Sequence, residues 1–425
     1  MSGAPIDYSV TGPQTAGDPQ LAAPSPSVAD RLLTASTTTL LLVVPFAGSA
    51  GIRGGLLVLA ALAACMRLRT HLALLRDHFP RAVLLLFAAW AAWSVASLAW
   101  SRDRAYSLGE LRPELLYPTL ALVFFFIAAR ADRWRPWWNA LMAGTLLVMA
   151  ASLTQDSLPF ALSRHSPDGG PGHLSTHLVL VAPLLFAIAW PRPWGRDHGA
   201  VTLIAALALL VAAGRYTENR MIWPALAAQL LVGIAAWRAC ARDGAASRTI
   251  GRVTLAAGII VVAAFATTVV ERGDRALRLA KPAAVEMERD LRPRIWGIAG
   301  QRIGEAPLAG HGFGREILAD AFLPVTPPQH PDVRHAHNLF LDVALQTGLV
   351  GLAIFAALLA ALAFEYRRYL ADPRLAPLGI MGLAVLAGFV VKNLTDDFLY
   401  RHNALVFWAI QGMLLGLARN PGRRL

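Results

Sequence analysis

The chain has 425 residues, 56% of them hydrophobic and 16% charged, with a formal net charge of +12. Soluble domains carry about 25% charged residues, so this composition excludes an ordinary water-soluble fold and indicates a polytopic membrane protein. The basic residues are almost all arginine, with Lys281 and Lys392 the only lysines. They are scattered between apolar runs, so membrane topology accounts for most of them and no nucleic-acid partner is expected. Residues 1–30 are rich in Ser, Pro, Ala and Gly and contain no basic residue before Arg31; they read as a disordered cytoplasmic tail. Cys65 and Cys240 both fall beside expected inner loops, which argues against a structural disulfide.

A membrane-crossing helix needs roughly 17–25 mostly apolar residues, because the hydrocarbon offers the backbone no water. Runs of this kind centre near Leu41, Leu59, Trp90, Val123, Leu146, Val181, Leu207, Leu230, Val261, Phe355, Leu386 and Trp408. The pattern predicts an all-α protein of about 12 transmembrane helices. Its expected divisions are the tail 1–30, spans one to nine over 31–270, a loop over 271–337, spans ten to twelve over 338–418, and a short tail 419–425. With both termini inside, the inner segments hold 20 Lys and Arg and the short outer loops hold 8, which favours this orientation. The segment Arg69 to His78 reads as a helix on the inner surface. Trp134, Trp137, Trp138, Trp190, Trp194 and Trp237 read as interfacial anchors.

The outer loop from Glu271 to Ala336 is too long for a simple connector. Its first half, Arg272 to Arg302, reads as helix, and Gly310-His311-Gly312-Phe313-Gly314 as a tight turn. Guanidinium suits a diphosphate at a membrane surface, since it stays charged and donates in a planar fork. Arg289, Arg292 and Arg294 precede Trp296, and on a helix Arg292 and Trp296 share a face. Arg215 and Arg220 lie in the outer mouth between spans seven and eight, with Glu218 and Asp290 as ordinary pairing partners. His337, followed by Asn338 and an apolar helix, could as a neutral imidazole accept a hydroxyl proton; His335, two residues earlier, would face elsewhere on a helix. A zinc site from His330, His335 and His337 is disfavoured by Pro331 and the lack of a cysteine. His173 and His177 are expected to line the outer end of span six. Asp396 and Asp397 are expected to pair with Arg401 or Lys392. No phosphate-binding-loop motif occurs, so ATP use is not expected.

These motifs resemble the O-antigen ligase and polymerase superfamily. Thr217-Glu218-Asn219-Arg220-Met221-Ile222-Trp223 looks like its short arginine motif. Arg292-Pro293-Arg294-Ile295-Trp296 and Pro307 to Gly314 look like its outer-loop signature, completed by His335-Ala336-His337-Asn338 and Gln346-Thr347-Gly348. The resemblance implies a metal-independent, inverting membrane glycosyltransferase with a GT-C-like fold and a mainly helical periplasmic loop, requiring no cofactor and sited in a bacterial inner membrane. It implies transfer of O-antigen from undecaprenyl pyrophosphate to lipid A-core. Carried over by motif, Arg220 and Arg292 bind the pyrophosphate, with Arg215, Arg289 and Arg294 as further candidates, and His337 activates the acceptor hydroxyl. An O-antigen polymerase is the nearest rival. A transporter or flippase of anionic lipid-linked sugars is the non-enzyme alternative, opposed by the lack of charges buried mid-span other than Lys392.

Overall fold

The computed structural model describes residues 27–154, 170–185, 208, 210–212, 214–217, 219–240, 258, 263, 265–267, 291–325 and 333–419. The described residues form helices and connecting turns, with no strand among them. The protein is an all-α membrane protein: five of these helices are long and apolar enough to cross a bilayer, over Ala47–Cys65, Arg81–Ala99, Arg104–Ala128, Ile222–Cys240 and Leu339–Tyr369. Ten of the twelve expected span centres fall in described helices, and those at Leu207 and Val261 lie outside the described residues.

In chain order the helices are α1 (Val28–Val43), α2 (Ala50–Cys65), α3 (Leu68–His78), α4 (Arg81–Ala96), α5 (Arg104–Leu111), α6 (Tyr117–Ala128), α7 (Trp134–Leu153), α8 (Pro171–Val181), α9 (Ile222–Cys240), α10 (Arg292–Glu305), α11 (Leu339–Tyr369), α12 (Ala376–Lys392) and α13 (Arg401–Ala418). Ser27 and Asp30 form a reciprocal capping box that starts α1. The α1–α2 turn is closed by Arg53, whose buried guanidinium donates to the carbonyl oxygen of Phe46 at 3.0 Å. The amphipathic α3 follows at the opposite end of α2, as its sequence predicts.

Helix α13 is the axis of the bundle, buried on every side from His402 to Ala418. It can approach α6 closely because Gly412 and Gly416 lie against the backbone oxygens of Leu122 and Phe126, where a side chain would collide. Trp408 packs edge-on against Phe87 at 4.8 Å and stacks on Trp90, joining α13 to α4. Three of the expected tryptophan anchors are packed inside the protein. Trp134, Trp137 and Trp237 are buried, and the Trp137 indole donates to Thr37 at 3.2 Å. Trp138, partly buried, likewise donates to Leu184 O at 3.2 Å, so both indoles find acceptors inside the bundle. Trp190 and Trp194 lie outside the described residues.

Helix α11 is broken at Gly348, which adopts φ 69° and ψ −177°. The break leaves the carbonyls of Leu345 and Gln346 without helical donors. The glycine-rich turn supplies them: His311 N donates to Leu345 O at 2.8 Å and Gly312 N to Gln346 O at 2.9 Å. Gly310, also at positive φ, meets the Gly348 backbone, so neither position has room for a Cβ. Replacing Gly348 with Ala therefore combines left-handed strain with a backbone collision. We expect a loss of at least about 2 kcal/mol, read as a lower unfolding temperature in detergent; an unchanged temperature would refute the lock.

Candidate functional site

The site lies at the end of the bundle where α11 and α13 begin, and three stretches of chain build it. The first is the segment His335 to Asn338. Asn338 caps α11, its Oδ1 accepting from Phe340 N at 2.9 Å and Leu341 N at 3.2 Å. Its Nδ2 donates to Leu394 O at 2.8 Å, and Leu339 N donates to Asn393 O and Asp396 O. The segment is thus stitched to the second stretch, the α12–α13 connection. Asp342, one turn into α11, reaches back to accept from Ala336 N at 2.8 Å. Held at both ends, His337 takes the left-handed conformation, φ 49°, which non-glycine residues seldom adopt.

The third stretch is α10 with the glycine turn that follows it. The Trp296 indole donates to Ala336 O at 3.0 Å, docking α10 beside His337. Arg292, one turn earlier on the same face, is half-buried and near enough to act electrostatically on both His337 and Lys392. Arg315, directly after the glycine turn, enters from the other side. Its Nε lies 2.9 Å from Asp397 Oδ2 and its Nη2 lies 2.8 Å from His335 Nε2. The guanidinium stands over the Tyr400 ring, 4.6 Å from the centroid.

These contacts set the protonation of the imidazoles. A guanidinium can only donate, so Nε2 of His335 accepts and its proton rests on Nδ1, facing Asp342 Oδ2 at 3.6 Å. The His337 amide is 3.1 Å from the same Nδ1, a close approach rather than a bond in that tautomer. The His335 and His337 rings are 4.0 Å apart, contrary to the expectation that they diverge. The reason is backbone geometry: residues 335–338 are not helical, so a two-residue spacing no longer separates their side chains. Burial lowers both imidazoles to about 3, with Arg315 and, for His337, the neighbouring His335 ring adding to the shift. Both rings are neutral. Burial raises the Asp397 carboxyl to about 6 against the pull of Arg315.

The arginine motif before α9 reaches the same place. Asn219 Nδ2 donates to Asp396 Oδ2 at 3.2 Å, and Asp396 also takes a buried bond from Lys392. Arg220, the next residue, is exposed and forms no ion pair with a described residue. Arg215 donates to Thr267 at 3.4 Å, and Arg294 is exposed on α10. Arg289, His330 and the expected partners Glu218 and Asp290 lie outside the described residues. Asp396 pairs with Lys392 as expected. Asp397 pairs with Arg315 rather than Arg401, because Glu110 and Glu114 bind Arg401 from α5 and the turn after it. Glu114 is also a buried acidic group, so Lys392 is not alone inside the spans. His177 is buried against Thr145 at 2.9 Å, and His173 stacks on His402 at 4.7 Å; both line the bundle near this end.

Among the described residues, His335, Asp342 and Asp397 have ligand atoms within 4.8 Å of one another, close enough to share a metal ion. The Arg315 guanidinium already lies against two of the three, so the cluster contains a cation of its own. Sequence reasoning passed over Arg315. Its only signal was its position immediately after Gly314, where an otherwise apolar turn carries one charge.

Residues 173–356 match the family model described as O-antigen ligase. The matched region is similar to the O-antigen ligase family and covers less than half of the chain. The match spans the Arg220 motif, α10, the glycine turn, His337 and the first half of α11, and it supports membership of the O-antigen ligase and polymerase superfamily of membrane enzymes. It ends before Asp396 and Asp397, so the site described above takes in chain from beyond the matched region. No curated protein matches the chain.

The Arg315–Asp397 pair is testable by stability. Arg315→Ala leaves a buried carboxylate unpaired and is expected to cost about 3–5 kcal/mol. Adding Asp397→Asn should recover much of that loss in thermal unfolding. Additive losses would show that the two side chains are not coupled.

Proposed function

We propose that the protein is an O-antigen ligase, which transfers O-antigen from undecaprenyl pyrophosphate to a hydroxyl of lipid A-core on the periplasmic side of the inner membrane. The observation that carries the reading is a buried, neutral His337 with Arg292 beside it and the Arg220 motif tied to its partner loop. A neutral imidazole accepts a proton; a protonated one could not. The acceptor hydroxyl oxygen attacks the anomeric carbon, the bond from that carbon to the diphosphate oxygen breaks, and the electron pair leaves with the diphosphate. The hydroxyl proton passes to His337. Arg220 and Arg292, with Arg215, Arg289 and Arg294 as further candidates, offset the charge gathering on the leaving group. One base suffices because a neutralised diphosphate leaves without acid assistance, and one displacement inverts the anomeric centre. The fixed arginines do what a divalent cation would otherwise do, so the reaction is proposed to be metal-independent.

Donor binding would also tune the base. Burial and nearby cations hold His337 low in the free protein. A bound diphosphate supplies negative charge beside the ring and favours its protonated form, so the pKa rises in the complex and the base strengthens once its donor is present.

The direct test mixes purified protein, lipid-linked O-antigen and lipid A-core, with and without EDTA. Capped lipopolysaccharide formed in the presence of chelator supports the ligase. Lengthened lipid-linked chains would mean a polymerase, and no covalent product a transporter. His337→Ala and Arg220→Ala should each reduce transfer at least about 100-fold while the protein still inserts; near-normal capping by either contradicts its assigned role. The pH dependence gives a second check. Activity falls as pH drops through the imidazole pKa, so the acid limb of kcat should lie at higher pH than that of kcat/KM. Coincident limbs would remove the coupling to donor.

A further inference from the structure

At the end of the bundle opposite His337, a cavity of about 440 Å³ opens between the start of α4 and the last turns of α11 and α13. Its walls divide by chemistry. Val83, Ala361, Phe364 and Leu415 form an apolar side, and Phe364 is 62% exposed at the bundle surface. Arg81, Arg368 and Arg419 form a basic side. Glu365 is the one acidic residue in the lining, and it is taken up by Arg368 at 3.1 Å. Arg81 is exposed and has no ion pair among the described residues. Arg419 gives Nη2 to the carbonyl oxygens of Ile127 and Ala129, while its Nε and Nη1 are buried without an acceptor among the described residues. The exposed Arg81 and the half-buried Arg419 in this lining are therefore both left without a carboxylate among the described residues.

We propose that this cavity binds the phosphate of an acidic glycerophospholipid, with an acyl chain lying over Phe364 and Leu415. Charge complementarity identifies the headgroup: a phosphate monoester or diester anion takes hydrogen bonds from the exposed guanidinium groups of Arg81 and Arg368, with the half-buried Arg419 adding positive charge, while the added cation of a zwitterionic headgroup would meet three arginines. The apolar wall identifies the lipid source, since free phosphate gains nothing from Phe364. Isolated bulky apolar side chains at a bundle surface face acyl chains, and arginines at helix ends reach headgroups. Nothing in this cavity takes part in the transfer site, so the proposal stands or falls independently of the proposed ligase reaction.

The test is native mass spectrometry of the full chain released from nanodiscs made with phosphatidylglycerol or phosphatidylcholine. Wild type is expected to retain at least one phosphatidylglycerol that Arg81→Gln/Arg368→Gln loses, with affinity weakened about thirty-fold for two charges. Both side chains are exposed, and an unchanged unfolding temperature in phosphatidylcholine discs verifies that the variant folds. Arg419→Gln should weaken retention further. Equal retention by the variant, equal retention of phosphatidylcholine, or displacement of the lipid by inorganic phosphate alone would each overturn the proposal.

Discussion

The site depends on one half-buried guanidinium. The guanidinium of Arg315, 11% exposed, stands between the Asp397 carboxylate and the His335 ring and rests on Tyr400. A carboxylate at that depth is costly without a partner, and the guanidinium is equally costly without one. Each makes the other tolerable, and together they bind the glycine turn to the α12–α13 connection. The position of the His337 ring follows from that junction, because His335 is oriented by Arg315 and His337 is in contact with His335.

This arrangement separates two uses of arginine. Arg315 and Arg401 are spent on carboxylates already in the protein, Asp397 for the first and Glu110 with Glu114 for the second. Arg292 stands at the margin, near enough to act electrostatically on His337 and Lys392, and Arg220 is exposed beside Asn219, which binds Asp396. The proposed diphosphate site would use both kinds, with Arg315 holding the geometry and Arg220 and Arg292 meeting the ligand. The break at Gly348 is part of the same design. It frees two helix carbonyls, and the turn that carries Arg315 to its place is anchored on them. Glycines that read as a flexible phosphate-binding loop in other contexts here make a rigid backbone joint.

Much of this was legible in the sequence. Long apolar runs specify helices wherever water is absent, so ten span centres fall on described helices and α3 lies where its amphipathic pattern placed it. The four-residue spacing of Arg292 and Trp296 put both on one face of α10, and Asn338 before an apolar run marked a helix start. These are local consequences of backbone hydrogen bonding and side-chain period. His337 stood out for the same kind of reason, as a titratable group at such a start.

Contacts between distant segments were not legible. The pairing of Arg315 with Asp397 spans 82 positions, and nothing in either neighbourhood distinguishes it from the expected pairing with Arg401. Trp134, Trp137 and Trp237 look interfacial by position yet are buried, because burial depends on which helices meet. The neutrality of His337 belongs to the same class: an imidazole near 6.5 in water is brought to about 3 only when the fold removes its water and sets cations around it. Chain chemistry alone determined the helices, their caps and the inventory of charged groups. Tertiary packing decided which charges neutralise one another and which are left for a ligand, since desolvation and distance are properties of the assembled bundle.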